Sequence, residues 1–421
     1  MSKLAMLGGK PVTKDILAGA KLKLRPDLER ECLLREHSGG VWDDWPGRKG
    51  ACHMFAAAWA KFNGAKFCSL LTSGTHALQL ALEALGIGAG DEVIVPGLTW
   101  QATAAAVCDV NAVPVLVDAD PLTLCIDPSA IQAAVTRRTR AIIPVHLYHR
   151  MADMDRILQI ARRNSLRVVE DCAHSHGSQW DGRGAGSLGD FGAFSFQRSK
   201  PMNAGEGGCL LTSDEELYWK VESLRTCGRE LSGQEPGVKV HGGSYRMTGF
   251  QAAVLLGQLE AMKANARIID RNGRALDQAV AAAPGTRPLR RSRHITRQTG
   301  YAFAFLYNQD EYDGLSGELF RKALSAELGC QFGTTYTPLN HSELYYPQTK
   351  RRHQISREYV KAITPSRWAL PVAEELWRDR AVLAFWTLYA CPPDRAHLLT
   401  DGIAKVYQHR GELLRKSGAR A

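Results

Sequence analysis

The sequence predicts an α/β protein built on a mainly parallel β-sheet, followed by a second domain. Three short apolar runs, at residues 92–96, 114–118 and 141–147, alternate with segments of helical spacing at 101–107 and 128–135. Strands that alternate with helices pair in parallel, and the helices cover both faces of the sheet. The chain has 421 residues, which exceeds what one hydrophobic core ordinarily holds, so two domains are expected.

Two further apolar runs lead to titratable side chains. Residues 167–170 close on Asp171, and residues 191–196 lead to Lys200. Reactive groups in open α/β sheets gather at the carboxyl ends of the strands, so this acid and this lysine are predicted to share a site. Each alone has an ordinary explanation, because an Asp at a strand end often caps a helix and a loop Lys is usually solvated.

The loop that carries the lysine favours a chemical role. Pro201 and the glycine-rich run at 203–208 predict an irregular loop instead of a solvated helix face. Burial there would lower the pKa of Lys200 and leave its amine free to attack a carbonyl. An acid beside such a lysine fits pyridoxal phosphate, with the lysine bound to the cofactor carbonyl carbon and Asp171 keeping the pyridine nitrogen protonated.

Residues 73–75 (SGT) predict a seat for a phosphate group. They open a segment of helical periodicity that runs to about Leu85. Ser73 is a good N-cap, and Gly74 lets backbone amides come close to a ligand. The free N–H groups and the positive dipole end of a helix attract phosphate, although ordinary capping selects the same residues.

These stretches together resemble the sugar aminotransferases of the DegT/DnrJ/EryC1/StrS family. The matching motifs are residues 170–174 (EDCAH), 195–200 (SFQRSK) and 205–208 (GEGG), and the likeness continues through most of the chain. The resemblance implies the pyridoxal-phosphate-dependent fold type I, like aspartate aminotransferase. That fold has a large domain with a mainly parallel seven-stranded sheet and a smaller α+β C-terminal domain.

The resemblance also sets the expected domain limits. We expect the large cofactor-binding domain over residues 1–265, with an irregular N-terminal segment at 1–50, because that segment is rich in turn residues. The small C-terminal domain is expected over residues 266–421, and a long amphipathic helix from Gln251 to about Ala282 links the two. Helices are also expected over residues 215–225, 317–328 and 394–415, and a strand over 332–337.

The same resemblance implies which residues form the site. Lys200 and Asp171 are the expected catalytic residues, and Trp100 is expected to stack on the pyridine ring, although a buried indole often only fills a helix–sheet layer. His174 is expected beside the cofactor 3′-oxygen, although a lone His at a strand end is often a satisfied hydrogen-bonder. His176 is left unassigned. The expected cofactor-binding residues are Ser73, Gly74, Thr75, Trp100, Asp171, His174, Ser195, Lys200 and Ser244.

The chain departs from the family pattern at four places. Ser244 stands where the family has an Asn that reaches the phosphate of the neighbouring subunit, which implies a homodimer with shared active sites. Its shorter side chain predicts a weakened or water-bridged contact. Gly249 stands where Glu is usual, His149-Arg150 replace a Gly, and residues 384–387 (AFWT) replace a His-containing stretch.

Within the family, residues 93–103, 143–147 and 170–178 most resemble the branch that transfers nitrogen from L-glutamine to cyclitol ketones. The implied acceptor is scyllo-inosose or 2-deoxy-scyllo-inosose, in aminoglycoside antibiotic biosynthesis. A 3-amino-5-hydroxybenzoate synthase or a nucleotide-ketosugar aminotransferase is an alternative. A dehydratase of this fold would have His in place of Lys200, and a non-catalytic binding protein is the remaining alternative.

The composition and residue spacing argue against several other classes of protein. The net charge of +10 comes from scattered Lys and Arg without helix-turn-helix or zinc-finger spacing, so no nucleic-acid partner is expected. The ten cysteines are single, with no C-x-x-C pair and no His pair at metal spacing, so no metal is expected and a reducing cytoplasm fits. No run is long and apolar enough for a membrane span, and the first ten residues do not resemble a signal peptide.

Overall fold

The computed structural model describes residues 3–20, 22–45, 49–233 and 239–416. The helices are α1 (Pro26–Gly39), α2 (Ala51–Asn63), α3 (Gly74–Ala84), α4 (Ala102–Asp109), α5 (Pro128–Ala134), α6 (Met154–Arg163), α7 (Glu215–Arg225), α8 (Gly249–Ala281), α9 (Gly317–Leu328), α10 (Arg357–Ile363), α11 (Pro371–Glu375), α12 (His397–Gln408) and α13 (Arg410–Lys416). Single turns of 3-10 and π helix connect several of them.

The strands fall into one large and two small sheets. They are β1 (Phe67–Leu71), β2 (Glu92–Pro96), β3 (Val113–Val117), β4 (Thr139–Ile142), β5 (Arg167–Asp171), β6 (Gln179–Trp180), β7 (Arg183–Gly184), β8 (Phe191–Ser195), β9 (Gly208–Thr212), β10 (Thr286–Pro288), β11 (Ile295–Arg297), β12 (Ala302–Tyr307), β13 (Phe332–Gly333) and β14 (Ala381–Phe385).

The large sheet has seven strands in the order β1-β9-β8-β5-β4-β2-β3. The pairs among β8, β5, β4, β2 and β3 are parallel, and β9 is antiparallel to both of its neighbours. All five residues of β2 are buried, which is typical of a parallel strand covered by helices on both faces. The predicted mainly parallel seven-stranded sheet is confirmed.

The N-terminal segment is more regular than predicted. The expectation of an irregular segment over residues 1–50 is wrong for α1, which begins with Pro26 at its first turn and ends before Gly40, where φ is 68°. Of its 14 residues only Cys32 and Glu36 are buried, so the apolar periodicity that would reveal the helix is nearly absent. Packing against α8 stabilises it instead.

Helix α8 joins two hydrophobic cores. Leu255 and Leu259 lie in the core around the large sheet, whereas Leu276 and Val280 lie in the second core, around the antiparallel sheet β10-β12-β14-β13. The N-terminal residues Leu4 and Ile16 also belong to the second core. The division at 265/266 falls within this helix and stays a proposal.

Two predicted elements of the C-terminal part are shorter than expected. The strand predicted over 332–337 is only β13, because Tyr336 N–H donates to the Tyr148 hydroxyl and Thr334 Oγ1 donates to a carbonyl oxygen outside the sheet. The helix predicted over 394–415 is divided into α12 and α13 at His409. The helices predicted over 215–225 and 317–328 are confirmed.

The close approach of α1 and α8 occurs at Gly257. A Cβ built there would lie 2.9 Å from the backbone N and 2.5 Å from the Cγ of Glu29. We expect Gly257→Ala to lower the free energy of unfolding by about 1–3 kcal/mol, because the α1 backbone must move, and this outweighs the better helix propensity of Ala. Urea unfolding measures it. The control is Gly411→Ala, whose Cβ has 3.7 Å to its nearest neighbour; equal effects at both sites would contradict the packing argument.

Candidate active site

A cavity of about 430 Å³ lies at the carboxyl ends of the parallel strands, next to the antiparallel domain. Strand β5 ends at Asp171, β8 ends at Ser195, and the loop after β2 carries Trp100. Eight of the nine predicted cofactor-binding residues line it: Ser73, Gly74, Thr75, Trp100, Asp171, His174, Ser195 and Lys200. A larger cavity of about 650 Å³, beside β10 and β12, contains none of them.

Lys200 is held in a turn that follows β8. Its backbone N–H donates to Gln197 O at 2.8 Å, and Asn203 Nδ2 donates to Lys200 O at 3.3 Å. The Nζ atom lies 4.4 Å from the ring centroid of Tyr301. Burial lowers the pKa of Lys200 from its ordinary 10.5 to about 8, although the charge of Asp171 acts in the opposite direction. A substantial fraction of the amine is therefore neutral and nucleophilic near pH 8.

Asp171 is a buried carboxylate at the end of β5. Thr103 Oγ1 donates to its Oδ2 at 2.9 Å, and Ala173 N–H donates to its Oδ1 at 3.2 Å. Burial raises the pKa of Asp171, and these two hydrogen bonds and the charge of Lys200 lower it in part. No ion pair to Asp171 forms among the residues that the structure describes. A protonated pyridine nitrogen is a cation that fits this carboxylate.

Glu170, which precedes Asp171, holds the strand end in place. Its carboxylate accepts hydrogen bonds from the backbone N–H groups of Gly186, Leu188 and Gly189 at 2.7–3.0 Å. His146 Nε2 is 2.9 Å from the same carboxylate. Glu170, His146 and Cys172 are also close enough to hold a metal ion together, but these bonds already use the Glu170 oxygens, and the expectation of no metal stays a prediction.

The cavity reaches the N-terminus of α3, where the sequence predicts the phosphate site. Ser73 Oγ accepts a hydrogen bond from His76 N–H at 3.2 Å, which confirms Ser73 as the N-cap. Gly74 and Thr75, the first two helical residues, line the cavity together with Ser195. The N–H groups of a first helical turn have no partners within the helix, so this end presents donors and a positive dipole to an anion.

Aromatic side chains line the cavity wall opposite the N-terminus of α3. The Trp100 indole is 45% exposed and lies 5.5 Å from Tyr336, centroid to centroid. The imidazole of His174 stacks on Tyr301 at 4.1 Å with an interplanar angle of 10°. An exposed indole at a cavity mouth is available to stack on a ring that enters, so the structure does not support the reading of Trp100 as a filler of the helix–sheet layer.

The hydrogen bonds of His174 determine its tautomer. Tyr148 N–H donates to Nδ1 at 3.2 Å, so Nδ1 carries no proton. Burial, together with the positive charge of Lys200, holds the pKa of His174 well below its usual range. The neutral ring therefore has its proton on Nε2, which lies 3.2 Å from the Tyr336 hydroxyl. His176 is structural, because its Nε2 bonds Ser195 O at 2.9 Å among aromatic rings.

The departures from the family motifs have separate structural explanations. Glu36 of α1 occupies the space beside Gly249, since a Cβ there would lie 2.0 Å from Glu36 Oε1. The side chains of His149 and Arg150 are buried away from the cavity, and Phe385 makes an edge contact with Tyr301. Ser244 is exposed and outside the cavity of its own chain, so its contact with a neighbouring subunit stays a prediction.

Sequence reasoning missed three residues around the site. Thr103 bonds Asp171 from the second residue of α4, and Tyr301 covers the amine of Lys200 from just before β12. Tyr148 contacts His174 from behind the cavity wall. Thr103 follows Thr99 at helical spacing, and the two hydroxyls are 3.0 Å apart, but Thr pairs of this kind are too common to identify a site.

The fold, with a lysine and a buried carboxylate in one cavity, is typical of a pyridoxal-phosphate-dependent enzyme. A family model described as the DegT/DnrJ/EryC1/StrS aminotransferase family matches residues 43–383. The chain belongs to this family. The predicted enzyme class, a pyridoxal-phosphate-dependent aminotransferase, is confirmed.

Relatives with named activities match about nine tenths of the chain. An L-glutamine:2-deoxy-scyllo-inosose aminotransferase of Streptoalloteichus tenebrarius is 40% identical over 395 residues, covering 92% of each chain. An L-glutamine:scyllo-inosose aminotransferase of Streptomyces griseus is 42% identical over 388 residues, covering 88% of this chain and 89% of the relative.

Solved structures agree with the fold. A 3-amino-5-hydroxybenzoic acid synthase superposes with a TM-score of 0.76 at 27% identity, covering 94% of this chain and 99% of the other. DesI, solved with its TDP-sugar product, gives a TM-score of 0.78 at 28% identity and 99% coverage of both. In the described part of the chain, no helix combines the length and apolarity that a membrane crossing requires.

The lowered pKa of Lys200 makes the stability of the cofactor-free protein depend on pH. The unfolded chain keeps this ammonium protonated up to about pH 10.5, but the folded chain only up to about pH 8. Folding therefore carries a penalty below pH 8 that disappears as the pH rises to 10.5. Lys200→Met should raise the free energy of unfolding at pH 7 by about 1–3 kcal/mol. This increase in the free energy of unfolding should become smaller as the pH approaches 10.5.

Urea unfolding of both proteins across this pH range tests the expectation. Lys66→Met, at an exposed lysine, is the matched control and should leave stability nearly unchanged. A gain at pH 7 no larger than that of the control would show that Lys200 is not desolvated.

Asp171→Asn tests the need for a buried negative charge beside the cofactor. The amide keeps the size of the side chain but cannot balance a protonated ring nitrogen. We expect cofactor binding to persist while kcat falls about 100-fold or more, a loss typical of removing a preorganised electrostatic contact. Steady-state kinetics and the visible spectrum measure the two effects. Asp401→Asn, at an exposed carboxylate, is the control; an unchanged kcat for Asp171→Asn would refute the assignment.

Proposed function

We propose that this enzyme transfers the amino group of L-glutamine to a cyclitol ketone of the scyllo-inosose or 2-deoxy-scyllo-inosose type, in aminoglycoside antibiotic biosynthesis. The observation that carries the proposal is the match of about nine tenths of the chain, at 40–42% identity, to relatives with these named activities. The chemistry requires a lysine that readily loses its proton and a buried carboxylate in one cavity, and both are present.

Pyridoxal phosphate, when bound, supplies an electrophilic carbonyl and a ring that withdraws electrons from the reacting carbon. We propose that Lys200 holds it through Nζ and that Asp171 holds the proton on its ring nitrogen. Ser73, Gly74, Thr75 and Ser195 would bind the phosphate at the N-terminus of α3.

Lys200 also acts as the acid and base of the reaction. Its neutral Nζ, freed when the amine of the donor takes its place, would take the proton from the α-carbon of the donor in the first half-reaction and pass it to the cofactor. In the second half-reaction it supplies a proton to the carbon that receives the amino group. A pKa of about 8 allows both transfers near neutral pH, because neither protonation state is strongly disfavoured.

Trp100 and His174 complete the proposed cofactor contacts. The exposed indole of Trp100 would stack on the pyridine ring. The neutral imidazole of His174, fixed by Tyr148 and Tyr336, would orient the ring from the side of its 3′-oxygen. Ser244 would reach the cofactor phosphate of a neighbouring subunit, so the enzyme is proposed to be a homodimer with shared sites.

The charges that this chain itself contributes to the cavity favour an uncharged acceptor. Of the described residues that line it, Lys200 is the one with a cationic side chain, whereas Asp171 and Glu206 are acids. A nucleotide-linked ketosugar carries a diphosphate, and the precursor of an aminobenzoate carries a carboxylate, so both would need further cations. A cyclitol ketone needs none. The carboxylate of L-glutamine does need one, and we expect the second subunit to supply it.

Visible spectroscopy tests the donor first. The purified enzyme with pyridoxal phosphate should show the visible absorption band of the lysine-bound cofactor, and L-glutamine should abolish that band. Lys200→Ala should show no such band, which controls for free cofactor. A normal band that L-glutamine leaves unchanged would overturn the proposed donor but leave the cofactor chemistry intact.

A panel of ketone acceptors tests the second half-reaction. The glutamine-treated enzyme should recover its band with scyllo-inosose or 2-deoxy-scyllo-inosose. We expect kcat/KM for TDP-linked ketosugars to be at least about 100-fold lower, because two phosphate charges would be left unpaired. Two relatives, 37% and 38% identical, are named putative L-glutamine:3-amino-2,3-dideoxy-scyllo-inosose aminotransferases, so the keto form of that aminocyclitol belongs in the panel. Preference for the TDP-sugar would overturn the proposal.

The proposed location is the cytoplasm. The ten cysteines are all free thiols, and eight of them are buried, which suits a reducing compartment.

A further inference from the structure

Tyr148 lies directly behind the aromatic wall of the cavity. Its side chain is 2% exposed, and it is not among the residues that line the cavity. Its backbone has a φ of 56°, in the left-handed region that a bulky side chain rarely adopts. A conformation of this kind persists only where the surroundings hold it, and such positions cluster at functional sites.

All three polar positions of Tyr148 bind residues of the wall. Its N–H donates to His174 Nδ1 at 3.2 Å, its carbonyl oxygen accepts from Tyr301 N–H at 2.7 Å, and its hydroxyl oxygen accepts from Tyr336 N–H at 2.8 Å. These three partners line the cavity around the amine of Lys200. One buried residue therefore connects three wall residues that come from distant parts of the chain.

The next two residues attach Tyr148 to the second core. Arg150, 1% exposed, donates to Asp277 Oδ2 at 2.9 Å and to Leu289 O at 2.7 Å. The ring of His149 packs 5.2 Å from that of Phe303 in β12. Because the C-terminal half of α8 and strand β12 belong to the second core, this segment fixes the end of the parallel sheet relative to the domain that carries Tyr301 and Tyr336.

We propose that Tyr148 is a positioning residue whose hydroxyl sets the placement of Tyr336 on the substrate side of the cavity. Its hydroxyl fixes the backbone from which the Tyr336 side chain projects towards His174 Nε2. Its N–H keeps Nδ1 of His174 unprotonated, so that the Nε2 proton is directed to Tyr336. Tyr148 touches neither Lys200 nor the phosphate end, so its effect should fall on substrate turnover and not on cofactor loading.

The test is Tyr148→Phe, which removes the hydroxyl and keeps the ring. We expect kcat/KM for the amino donor and for the ketone to fall about tenfold, as for one displaced contact in a reacting complex. The visible band of the bound cofactor should be unchanged. Tyr307→Phe is the matched control, because Tyr307 is equally buried and its hydroxyl donates to Leu315 O at 2.6 Å, far from the cavity. Tyr307→Phe should lower the free energy of unfolding by a similar amount but leave kcat/KM unchanged.

A second background separates positioning from general stability. In Tyr336→Ala the side chain that Tyr148 places is absent, so adding Tyr148→Phe should change kcat/KM by less than about twofold. A tenfold loss that persists in this background would overturn the inference, as would an unchanged kcat/KM in the single variant or a lost cofactor band.

This inference rests on the proposed aminotransferase reaction, and the two fail differently. If the wild-type enzyme reacts with L-glutamine but with no cyclitol ketone, the proposed acceptor fails. The rate of the glutamine half-reaction, followed at the cofactor band, then still compares Tyr148→Phe with wild type. If the wild-type enzyme accepts both substrates and Tyr148→Phe does so equally well, the inference alone fails.

Discussion

The desolvation of one amine and one carboxylate in the same cavity is the constraint on which the site depends. An ammonium at Lys200 and a carboxylate at Asp171 both lose hydration, and the burial that lowers one pKa raises the other. The unliganded fold tolerates this because two hydrogen bonds support Asp171 and the lysine can lose its proton. A cofactor that brings an electrophile for the amine and a cation for the acid relieves both costs.

The strand ends make this arrangement rigid. Asp171 belongs to the sheet ladder, and Glu170 beside it binds three backbone N–H groups of the following loop. The proposed phosphate end is equally fixed, since Ser73 caps α3 at the edge of the same cavity. A cofactor held at its phosphate and at its ring nitrogen keeps its reactive carbon at one place, which is how preorganisation contributes to catalysis.

The second domain contributes aromatic side chains to one wall of the cavity. Tyr301 and Tyr336 both come from beyond α8, and they meet His174 from the end of β5. Residues 148–150 include no glycine, and their three side chains are large and buried. Those of His149 and Arg150 contact the second domain. The substitution of His149-Arg150 for a Gly is thus a change in the domain junction and not in the cavity itself.

The sequence by itself determined the sheet and the family, and it predicted the residues of the proposed cofactor site. Strand ends, an N-cap and a lysine loop are local patterns, and each is fixed by residues within a few positions of one another. It did not reveal α1, whose exposed surface has almost no apolar periodicity, nor the short β13. Only the tertiary structure brought Thr103, Tyr148 and Tyr301 to the site, and it placed Glu36 in the space left by Gly249. These contacts join residues tens to hundreds of positions apart, and no local pattern encodes which of many similar side chains will meet.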